Sequence, residues 1–355
     1  MTEQVVNDPA GHADAVFTGT GTADHLTQML SGMSISAVVQ AAAQLGLADA
    51  IGEEPVGVTE LAEKVGADRT ALRRLMRSLA TLGVFHATDV DTYAHTDVSR
   101  VLRADAEGGM RDVVLLAARD WNWRLWRRLA DAVRGTDVAT EEFGKDLYSY
   151  LAEDAPEDHV IFDAAMAAAT DGLVGPVVDR LDVTGVRTVA DVGGGEGTLI
   201  RGVLERHADV TGMVVDLADV LPRIDPELTA GSLSDRFSAV VADCLDSIPV
   251  RADLYLLKHM VHQWNDEDCV RLLGNVAAAA APGGRVVVIE QVVRGDGPDA
   301  AFTMIMDLQM MLIVPGRERT EEDFAELFER AGLEFVGITP TESMVNLIEA
   351  RVPLR

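Results

Sequence analysis

Apolar residues recur at helical spacing through the first third of the chain. The run LTQMLSGMSISAVVQAAAQLGLADAI, which begins at Leu26, predicts helix. Two short helices follow: Thr59 is the predicted cap of the first, which ends at Gly66, and Asp68 caps the second, which ends at Gly83. The segment VFHATDVDTYAHTD then predicts a small hairpin with a polar tip. Together these elements are typical of a winged helix-turn-helix.

The second half of the chain alternates β-rich runs with helical stretches. The strand candidates are VRTVADV, MVVDL, FSAVVADC, ADLYLLKH, GRVVVIEQVV, LEFVGITPT and VNLIEARV. This alternation predicts an α/β fold with an open, mostly parallel sheet, and the short link between the last two runs predicts a terminal antiparallel hairpin. We therefore divide the chain into an N-terminal arm (1–24), a winged-helix-like domain (25–108), a helical segment (109–180) and an α/β domain (181–355).

Composition excludes several classes of partner. The 355 residues carry 30 basic and 58 acidic side chains, a net charge of −28, which should repel nucleic-acid phosphates and anionic lipid surfaces. Two cysteines in so long a chain indicate a reducing compartment. The N-terminus does not resemble a signal peptide, and no apolar run approaches the roughly 20 residues of a membrane span. We expect a cytoplasmic protein with neither nucleic acid nor membrane as a partner.

The strongest chemical signal is VADVGGGEGTL, where a strand runs into Gly193, Gly195 and Gly197 before a helix. Glycines permit a sharp turn and a close approach of backbone to ligand. Asp216 ends the next strand, where a carboxylate can accept both ribose hydroxyls of a nucleoside. Asp243 ends the third strand, within reach of an adenine edge. Because ligands of open α/β sheets bind at the carboxyl ends of strands, these residues predict a nucleoside-containing ligand.

A second polar group follows the fourth and fifth strands. Lys258, His259 and His262 come after the fourth strand, Glu290 ends the fifth, and Glu318 lies in GRERTEEDF. Two carboxylates that reach one imidazole would fix its tautomer and raise its basicity, which suits a general base. Two alternatives stay open: His262 as a buried structural histidine, and His259, His262 and Glu290 as metal ligands.

These segments resemble the S-adenosylmethionine-dependent O-methyltransferases of the plant caffeate and bacterial polyketide-tailoring kind. The matching segments, in the family's order, are VADVGGGEGTL, VVDLADV, VVADCLDSIP, LYLLKHMVHQWNDEDCVRLLGNV, APGGRVVVIEQ and PGRERTEEDF. The resemblance implies a class I methyltransferase domain with a Rossmann-like sheet over 181–355 and a winged-helix dimerisation domain over 25–108. Residues 109–180 would link the two and contribute to the substrate pocket.

The resemblance also implies roles for individual residues. His262 matches the family's catalytic histidine, and Glu290 and Glu318 match the two acids beside it. The implied contacts of S-adenosylmethionine, or of its product S-adenosylhomocysteine, are Gly193, Gly195, Gly197, Asp216, Leu217, Asp243, Cys244 and Lys258. No metal is required. The chain departs from the family at Gln263, where Asp or Asn is usual, and at Cys244, where an aromatic residue or Met is common.

Substrate contacts are predicted for Trp123, Met166, Met304, Asp307 and Met311. Methionine is an adaptable lining for aromatic pockets, although methionine and tryptophan stripes also suit core packing, and Asp307 also suits a capping or pairing role.

We predict transfer of a methyl group to a hydroxyl of a small aromatic substrate, in secondary metabolism such as antibiotic biosynthesis, with His262 as general base. Alternatives are an N- or C-methyltransferase, or a relative that binds the cofactor without transferring methyl. A remote alternative is a transcription regulator, supported by four arginines on the second short helix: Arg69, Arg73, Arg74 and Arg77. We also predict a homodimer through the apolar faces of 26–51 and 72–85.

Overall fold

A computed structural model of the chain describes residues 21–354 apart from Glu107, Asp296 and Pro298. The predicted arm, 1–24, therefore lies almost wholly outside the described residues. Its last part does not hold as predicted, because the first helix already begins at Thr22.

The chain divides into two compact units. One comprises the described residues up to Trp123 together with Glu157–Ala169, and the other comprises Arg124–Pro156 and the chain from Thr170 onward. The helical segment predicted over 109–180 is thus shared between the two units rather than forming a separate one.

The first unit is mainly helical and contains the predicted hairpin. A two-residue strand adds to that hairpin, so that the sheet order is β1-β3-β2 with antiparallel neighbours. The elements are α1 Thr22–Gln44, α2 Leu47–Ile51, β1 Val56–Gly57, α3 Val58–Val65, α4 Arg69–Thr81, β2 Phe85–Asp89, β3 Thr92–His95, α5 Asp97–Arg100, α6 Arg111–Ala117 and α7 Asp120–Arg127, the last of which continues into the second unit.

Local sequence explains these helix boundaries. Asp68 caps α4 as predicted, since its carboxylate accepts a hydrogen bond of 2.8 Å from the Ala71 amide. Gly66 ends α3 in the left-handed conformation, at φ 65°. The predicted cap Thr59 is wrong: Gly57 is the N-cap, because strand β1 leads directly into the helix.

The apolar residues of this unit fall into two groups. Leu72, Met76 and Leu79 of α4 are buried in the unit's own core, with the side chains of α2, α3 and the hairpin. The N-terminal half of α1 instead exposes an apolar face at helical spacing. That face consists of Leu26, Met29, Leu30 and Met33, which are 57 to 71% exposed.

The second unit contains the remaining elements. They are α8 Leu129–Val133, α9 Val138–Phe143, α10 Leu147–Glu153, α11 Pro156–Arg180 (part of which belongs to the first unit), β4 Thr188–Val192, α12 Thr198–Arg206, β5 Thr211–Asp216, α13 Pro226–Thr229, β6 Phe237–Val241, β7 Leu254–Lys258, α14 Asp266–Ala279, β8 Arg285–Glu290, α15 Ala300–Ile313, α16 Glu321–Arg330, β9 Glu334–Pro340 and β10 Asn346–Arg351. Short 3-10 turns span Leu221–Arg223, Ser234–Arg236 and Val261–Gln263.

Among the described residues the sheet of this unit has the order β6-β5-β4-β7-β8-β10-β9. Neighbours from β6 to β8 are parallel, and β10 is antiparallel to both β8 and β9. The predicted parallel sheet and terminal hairpin are therefore confirmed. The strand order reverses direction at β4, between β5 and β7, and the crevice at such a reversal is where ligands of open α/β sheets bind.

The helix α11 is long and apolar enough, by length and composition, to cross a membrane. This corrects the expectation that no run approaches that length. Its C-terminal part carries Leu173, Val177 and Val178, which are buried in one of the two apolar clusters that cover the sheet. Gly202 of α12 leaves room for Val174 of α11, because a Cβ on Gly202 would fall on the valine side chain. This part of α11 is therefore a core helix of the second unit.

Candidate active site

The glycine turn follows β4, at the point where the strand order reverses. Gly193, Gly195 and Gly197 have φ values of 71°, 57° and 85°, which L side chains rarely adopt. A Cβ on Gly193 would fall on the thioether of Met260, and a Cβ on Gly197 would lie 2.5 Å from Leu228. The turn therefore needs glycine both for its backbone conformation and for the space around it.

Asp216, the last residue of β5, lies next to this turn. One carboxylate oxygen accepts a hydrogen bond of 2.8 Å from the Gly195 amide, and the other accepts one of 2.7 Å from the Leu217 amide. Burial raises the pKa of Asp216 above its ordinary value. Each carboxylate oxygen can accept a further hydrogen bond, so the residue suits a pair of ribose hydroxyls. Leu217 beside it is half exposed.

The third predicted strand end differs from expectation. Strand β6 ends at Val241, so Asp243 lies two residues beyond it, exposed, and accepts a hydrogen bond of 2.8 Å from the Leu245 amide. The carboxylate is held in a turn rather than at a strand end. Cys244 is partly buried, and burial together with the Asp243 charge raises the pKa of its thiol to about 11, so the thiol is neutral.

A buried pair of charged groups lies at the base of the glycine turn. Lys258 ends β7, and burial lowers its pKa. Asp191 of β4 is almost fully buried, and burial raises its pKa to about 7 despite the positive charge of Lys258. A Cβ on Gly194 would lie 2.8 Å from the Asp191 carboxylate, so this side chain packs directly against the turn.

The 3-10 turn Val261–Gln263, which we call the His262 turn, follows β7. One oxygen of Glu290 accepts hydrogen bonds from two of its amides, Val261 at 2.6 Å and His262 at 3.1 Å. Glu318 contacts the ring itself, with 2.9 Å between its Oε1 and Nδ1 of His262. Of the two acids expected to reach the imidazole, Glu318 bonds to the ring, whereas Glu290 lies within 4.8 Å of a ring nitrogen without a described bond to it. Glu290 ends the neighbouring strand β8 at the level of the turn's backbone, and its hydrogen bonds go there.

The surroundings of His262 make its ring basic. Burial by itself would lower the pKa of the imidazole, but the negative charges of Glu290 and Glu318 and the hydrogen bond to Glu318 raise it above 6.5. A carboxylate can only accept at Nδ1, so in the neutral ring Nδ1 carries the hydrogen and Nε2 carries the lone pair. The His262 side chain keeps 10% exposure while that of Glu318 has none.

The alternative prediction makes His259 a metal ligand, but in the structure its ring packs against that of His262. Its backbone adopts φ 52°, and its ring stacks on that of His262 with centroids 5.1 Å apart. Burial and the charge of Lys258 lower its pKa well below 6.5, so it is neutral. Among the described residues, the donor atoms that come together within 4.8 Å belong to His262, Glu290 and Glu318.

Gln263, one of the two departures from the family pattern, connects the His262 turn to helix α10. Its Nε2 donates to the His259 carbonyl at 2.5 Å, and its Oε1 accepts from the hydroxyl of Tyr148 at 2.9 Å. A carboxylate here could not make the first of these bonds, because it has no donor. Tyr148 was not predicted from the sequence, since nothing near it in the chain relates it to a residue 115 positions away.

The loop that carries Glu318 contains two further residues that sequence reasoning missed. Gly316 lies directly against the His262 turn, and a Cβ on it would fall on the carbonyl oxygen of His262. Arg319 is fully buried. Their segment, PGRERT, was recognised, but an arginine is usually exposed and a glycine after proline usually indicates only a turn.

The predicted substrate residues are distributed over both units. Asp307 of α15 accepts a hydrogen bond of 2.9 Å from the Glu318 amide, so it pairs with the loop. Met304 and Met311 lie partly exposed on the same helix, which Trp126 contacts through a bond of 2.8 Å to Gln309. The other two candidates belong to the first unit, Trp123 on α7 and Met166, half exposed, on α11.

Comparison with known families decides what this arrangement belongs to. The model of the O-methyltransferase domain family matches residues 126–334, and that of the O-methyltransferase dimerisation domain matches residues 27–105. The chain belongs to the S-adenosylmethionine-dependent O-methyltransferases. The predicted class I methyltransferase fold, preceded by a helical dimerisation domain, is thereby confirmed. The family match also removes the main support for the transcription-regulator alternative, because the winged helix lies within the dimerisation domain.

Individual relatives of this methyltransferase cover nearly its whole length. The mitomycin biosynthesis 6-O-methyltransferase of Streptomyces lavendulae is 32% identical over 98% of this chain and 99% of its own. The phenazine-1-carboxylate N-methyltransferase of Pseudomonas aeruginosa is 34% identical over 92% and 97%. The O-methyltransferase from neocarzinostatin biosynthesis, solved with S-adenosylmethionine and 2-hydroxy-5-methyl naphthoic acid, has a TM-score of 0.76 at 29% identity over 95% and 100%.

Proposed function

We propose that this enzyme methylates a hydroxyl of a small aromatic natural product and that His262 removes the proton from that hydroxyl. The observation that carries the proposal is the hydrogen bond of 2.9 Å between His262 Nδ1 and the buried Glu318. It leaves the lone pair on Nε2, and the two nearby carboxylates hold the pKa of the ring above its ordinary value.

Methyl transfer to a hydroxyl needs a base. When bound, S-adenosylmethionine supplies a methyl group on a positively charged sulfonium. A phenol has a pKa of about 10 and is mostly neutral near pH 7, so it is a poor nucleophile until its proton is removed. A positioned base contributes a factor of roughly 10² to 10⁴ to such a step. His262 is the described side chain whose tautomer and raised pKa suit that step.

The residues at the strand ends fit the cofactor. The turn of Gly193, Gly195 and Gly197 carries no side chains of its own, and the space beside Gly195 is open, so a ligand can approach the backbone there. Asp216 retains hydrogen-bonding capacity for ribose hydroxyls. We propose that the remaining contacts come from Leu217, Asp243, Cys244 and Lys258. A relative of the same fold was solved with S-adenosylmethionine bound, which supports this assignment.

An aromatic substrate is supported by the relatives and by the side chains of α15. The relatives are named for mitomycin, for phenazine and for a naphthoic acid complex. Met304 and Met311 are flexible apolar groups that adapt to flat rings. We propose them as substrate contacts and assign Asp307 to the support of Glu318, while Trp123 and Met166, which belong to the first unit, stay predictions from the sequence. We also propose that the enzyme is a cytoplasmic homodimer.

A nitrogen acceptor is the second candidate, because a relative with 34% identity is an N-methyltransferase. The two candidates differ in what they require from His262. A neutral heteroaromatic nitrogen already has a lone pair, so its methylation requires no proton removal beforehand. Dependence of the rate on His262 therefore distinguishes a hydroxyl acceptor from such a nitrogen.

The first experiment is transfer of a labelled methyl group. We would incubate the protein with trideuteromethyl-labelled S-adenosylmethionine and a panel of phenols, hydroxynaphthoates and phenazines, and locate the label by mass spectrometry. For a hydroxyl acceptor, His262→Ala should lower kcat by about 10² or more while the Kd of S-adenosylhomocysteine changes less than about twofold. His86→Ala, an exposed histidine on β2, is the control. Unchanged turnover in His262→Ala would refute the base assignment.

A further inference from the structure

Arg319, the residue after Glu318, has a guanidinium in which every N–H group has a partner. Nε donates to Asp266 at 3.2 Å, and the two Nη2 bonds go to the same carboxylate at 2.7 Å and to the Trp264 carbonyl at 2.9 Å. The two Nη1 bonds go to the carbonyls of Val261, at 2.8 Å, and of Arg317, at 3.2 Å. The side chain has no exposed surface.

Two of these acceptors bracket the catalytic histidine. Val261 precedes His262 and Trp264 lies two residues after it, so the guanidinium binds the first residue of the His262 turn and the residue that directly follows the turn. The single S–H of Cys269 lies within donating distance of the same two carbonyls, at 3.1 and 3.4 Å. Glu290 binds amides of the turn, whereas Arg319 binds its carbonyls.

The backbone of Arg319 is fixed as well. Its carbonyl accepts a hydrogen bond of 2.8 Å from the Val293 amide, and Val292 pairs with it in an isolated parallel bridge directly after β8. Arg319 therefore joins three pieces of chain: the extension of β8, the loop that carries Glu318, and the His262 turn. The hydrogen bond between His262 and Glu318 connects two of these pieces.

We propose that Arg319 is a positioning residue for His262: by holding the backbone of the His262 turn against the loop of Glu318, it maintains the hydrogen bond from Nδ1 and so keeps the lone pair on Nε2. This inference rests on the proposed function, in which Nε2 of His262 is the base. Among the described contacts Arg319 bonds to backbone carbonyls of this region and not to the ring, so it acts on Nε2 through the backbone.

Arginine suits this task for a geometric reason. Its five N–H groups lie in one plane and can bind two carbonyls of one turn and a carboxylate at the same time, whereas the three donors of lysine surround a single nitrogen. Replacement by an apolar side chain would leave the Val261 carbonyl with the 3.4 Å bond from the Trp264 amide and the weak thiol donor of Cys269, and the Trp264 carbonyl with that thiol. A turn so weakly held would move relative to Glu318.

The neighbouring Arg317 provides a matched control. It also binds Asp266, at 3.3 Å, and it binds Asp323 at 3.0 Å, but its side chain makes no bond to the His262 turn among the described contacts. Arg317→Met therefore removes an arginine from the same loop and one partner of the same carboxylate. It leaves the carbonyls of the turn paired with Arg319.

The test measures the tautomer of His262 directly, so it needs no knowledge of the acceptor. We would record ¹⁵N-histidine NMR spectra of the full-length protein with S-adenosylhomocysteine bound, and assign the His262 signals from their loss in His262→Gln. The wild type and Arg317→Met should show the neutral ring mainly as the Nδ1–H form. Arg319→Met should shift it towards the Nε2–H form that free imidazoles prefer, and Arg319→Lys should lie between the two.

The charged and titratable neighbours of His262 are the same in all these variants. They are Glu290, Glu318, Lys258 and His259. Arg319→Met also removes a charge that lowers the pKa of Glu290, whereas Arg319→Lys keeps that charge, so a tautomer shift that Arg319→Lys shares reports a changed position of the turn relative to Glu318. Binding of S-adenosylhomocysteine shows whether each variant is folded. If Arg319→Met does not bind it, the tautomer measured in Arg319→Lys alone tests the inference.

Two outcomes separate this inference from the proposed function. If folded Arg319 variants keep the wild-type tautomer, the positioning role is overturned, and the proposed base is unaffected. If the wild-type ring is itself in the Nε2–H form, the proposed base assignment fails first, and the inference about Arg319 fails with it. A shift towards Nε2–H confined to the Arg319 variants supports both.

Discussion

At the scale of single residues, the proposed mechanism depends on which nitrogen of His262 carries a hydrogen. Glu318 decides this through its bond to Nδ1, and Glu290 supports it from the backbone side by holding two amides of the turn. Both carboxylates also raise the pKa of the ring. The two glutamates thus differ in what they bind: Glu318 binds the imidazole ring, and Glu290 binds backbone amides of the turn.

We predict the pH dependence from the raised pKa of His262. The base must be neutral, so kcat should fall as the pH decreases through a pKa above 6.5. Glu318→Gln keeps an acceptor at Nδ1 but removes the charge, and the acid limb of the pH profile should move to lower pH by about one unit or more. Glu322→Gln, an exposed acid on α16, should leave the profile unchanged. An acid limb that stays in place in Glu318→Gln would contradict this role for the charge.

At the scale of elements, the site is assembled where a loop meets a turn. The loop from Gly316 to Arg319 has no regular secondary structure, yet three of its residues are buried. Their burial follows from three contacts. The backbone of Gly316 packs on the His262 carbonyl, Glu318 binds the His262 ring, and the guanidinium of Arg319 donates to backbone carbonyls. Asp307 of α15 holds the same loop through the Glu318 amide.

Gly316→Ala tests how closely the loop and the turn must pack. The added methyl group would fall on the carbonyl oxygen of His262, so the loop has to move, and we expect a loss of about 1–3 kcal/mol in the free energy of unfolding. We also expect a lower kcat with unchanged affinity for S-adenosylhomocysteine.

Gly274→Ala is the control for this substitution. Gly274 lies inside α14 with open space where its Cβ would be, and alanine there should stabilise by about 0.5–1 kcal/mol. Thermal or urea unfolding measures both changes. Equal stability of the two variants would show that the contact between Gly316 and the turn is loose.

At the scale of the whole molecule, the first unit carries a dimerisation domain, and we expect a second copy to bind its exposed apolar residues. The predicted surface included the apolar residues of 72–85, but several of these, among them Leu72, Met76 and Leu79, are buried in the unit's own core. The exposed apolar face of α1 remains. Like-charged chains at −28 repel each other, so association must come from burial of such a face.

The double substitution Leu30→Glu and Met33→Glu should convert a dimer into a monomer. Both side chains lie on the exposed face of α1, and two carboxylates on each copy would be buried without partners in the interface. Light scattering at micromolar concentration should report a single chain of 38.1 kDa instead of two. Val90→Glu, which is 71% exposed at the hairpin, should leave the mass unchanged. A dimer that survives the double substitution would place the interface elsewhere.

Features that depend on residues close together in the sequence could be predicted from the sequence. The seven strands of the large sheet follow from short β-rich runs between helical stretches, and the position of Asp216 follows from the end of such a run. The glycine turn follows from the residues themselves, since no other residue adopts those backbone angles at so little cost. The family resemblance implied the catalytic roles of His262, Glu290 and Glu318, because the segments that contain them match the family's segments in the same order along the chain.

What each acid does was decided only by the tertiary structure. His262 and Glu318 are 56 positions apart, and Glu290 is 28 positions from the same histidine, so no local pattern distinguishes the ring contact from the backbone contact. The burial of Arg319 likewise depends on carbonyls that become its acceptors only when strands β7 and β8 lie side by side. Local patterns report torsional preference and burial, whereas the direction of a hydrogen bond depends on which distant groups the packed sheet brings within about 3 Å.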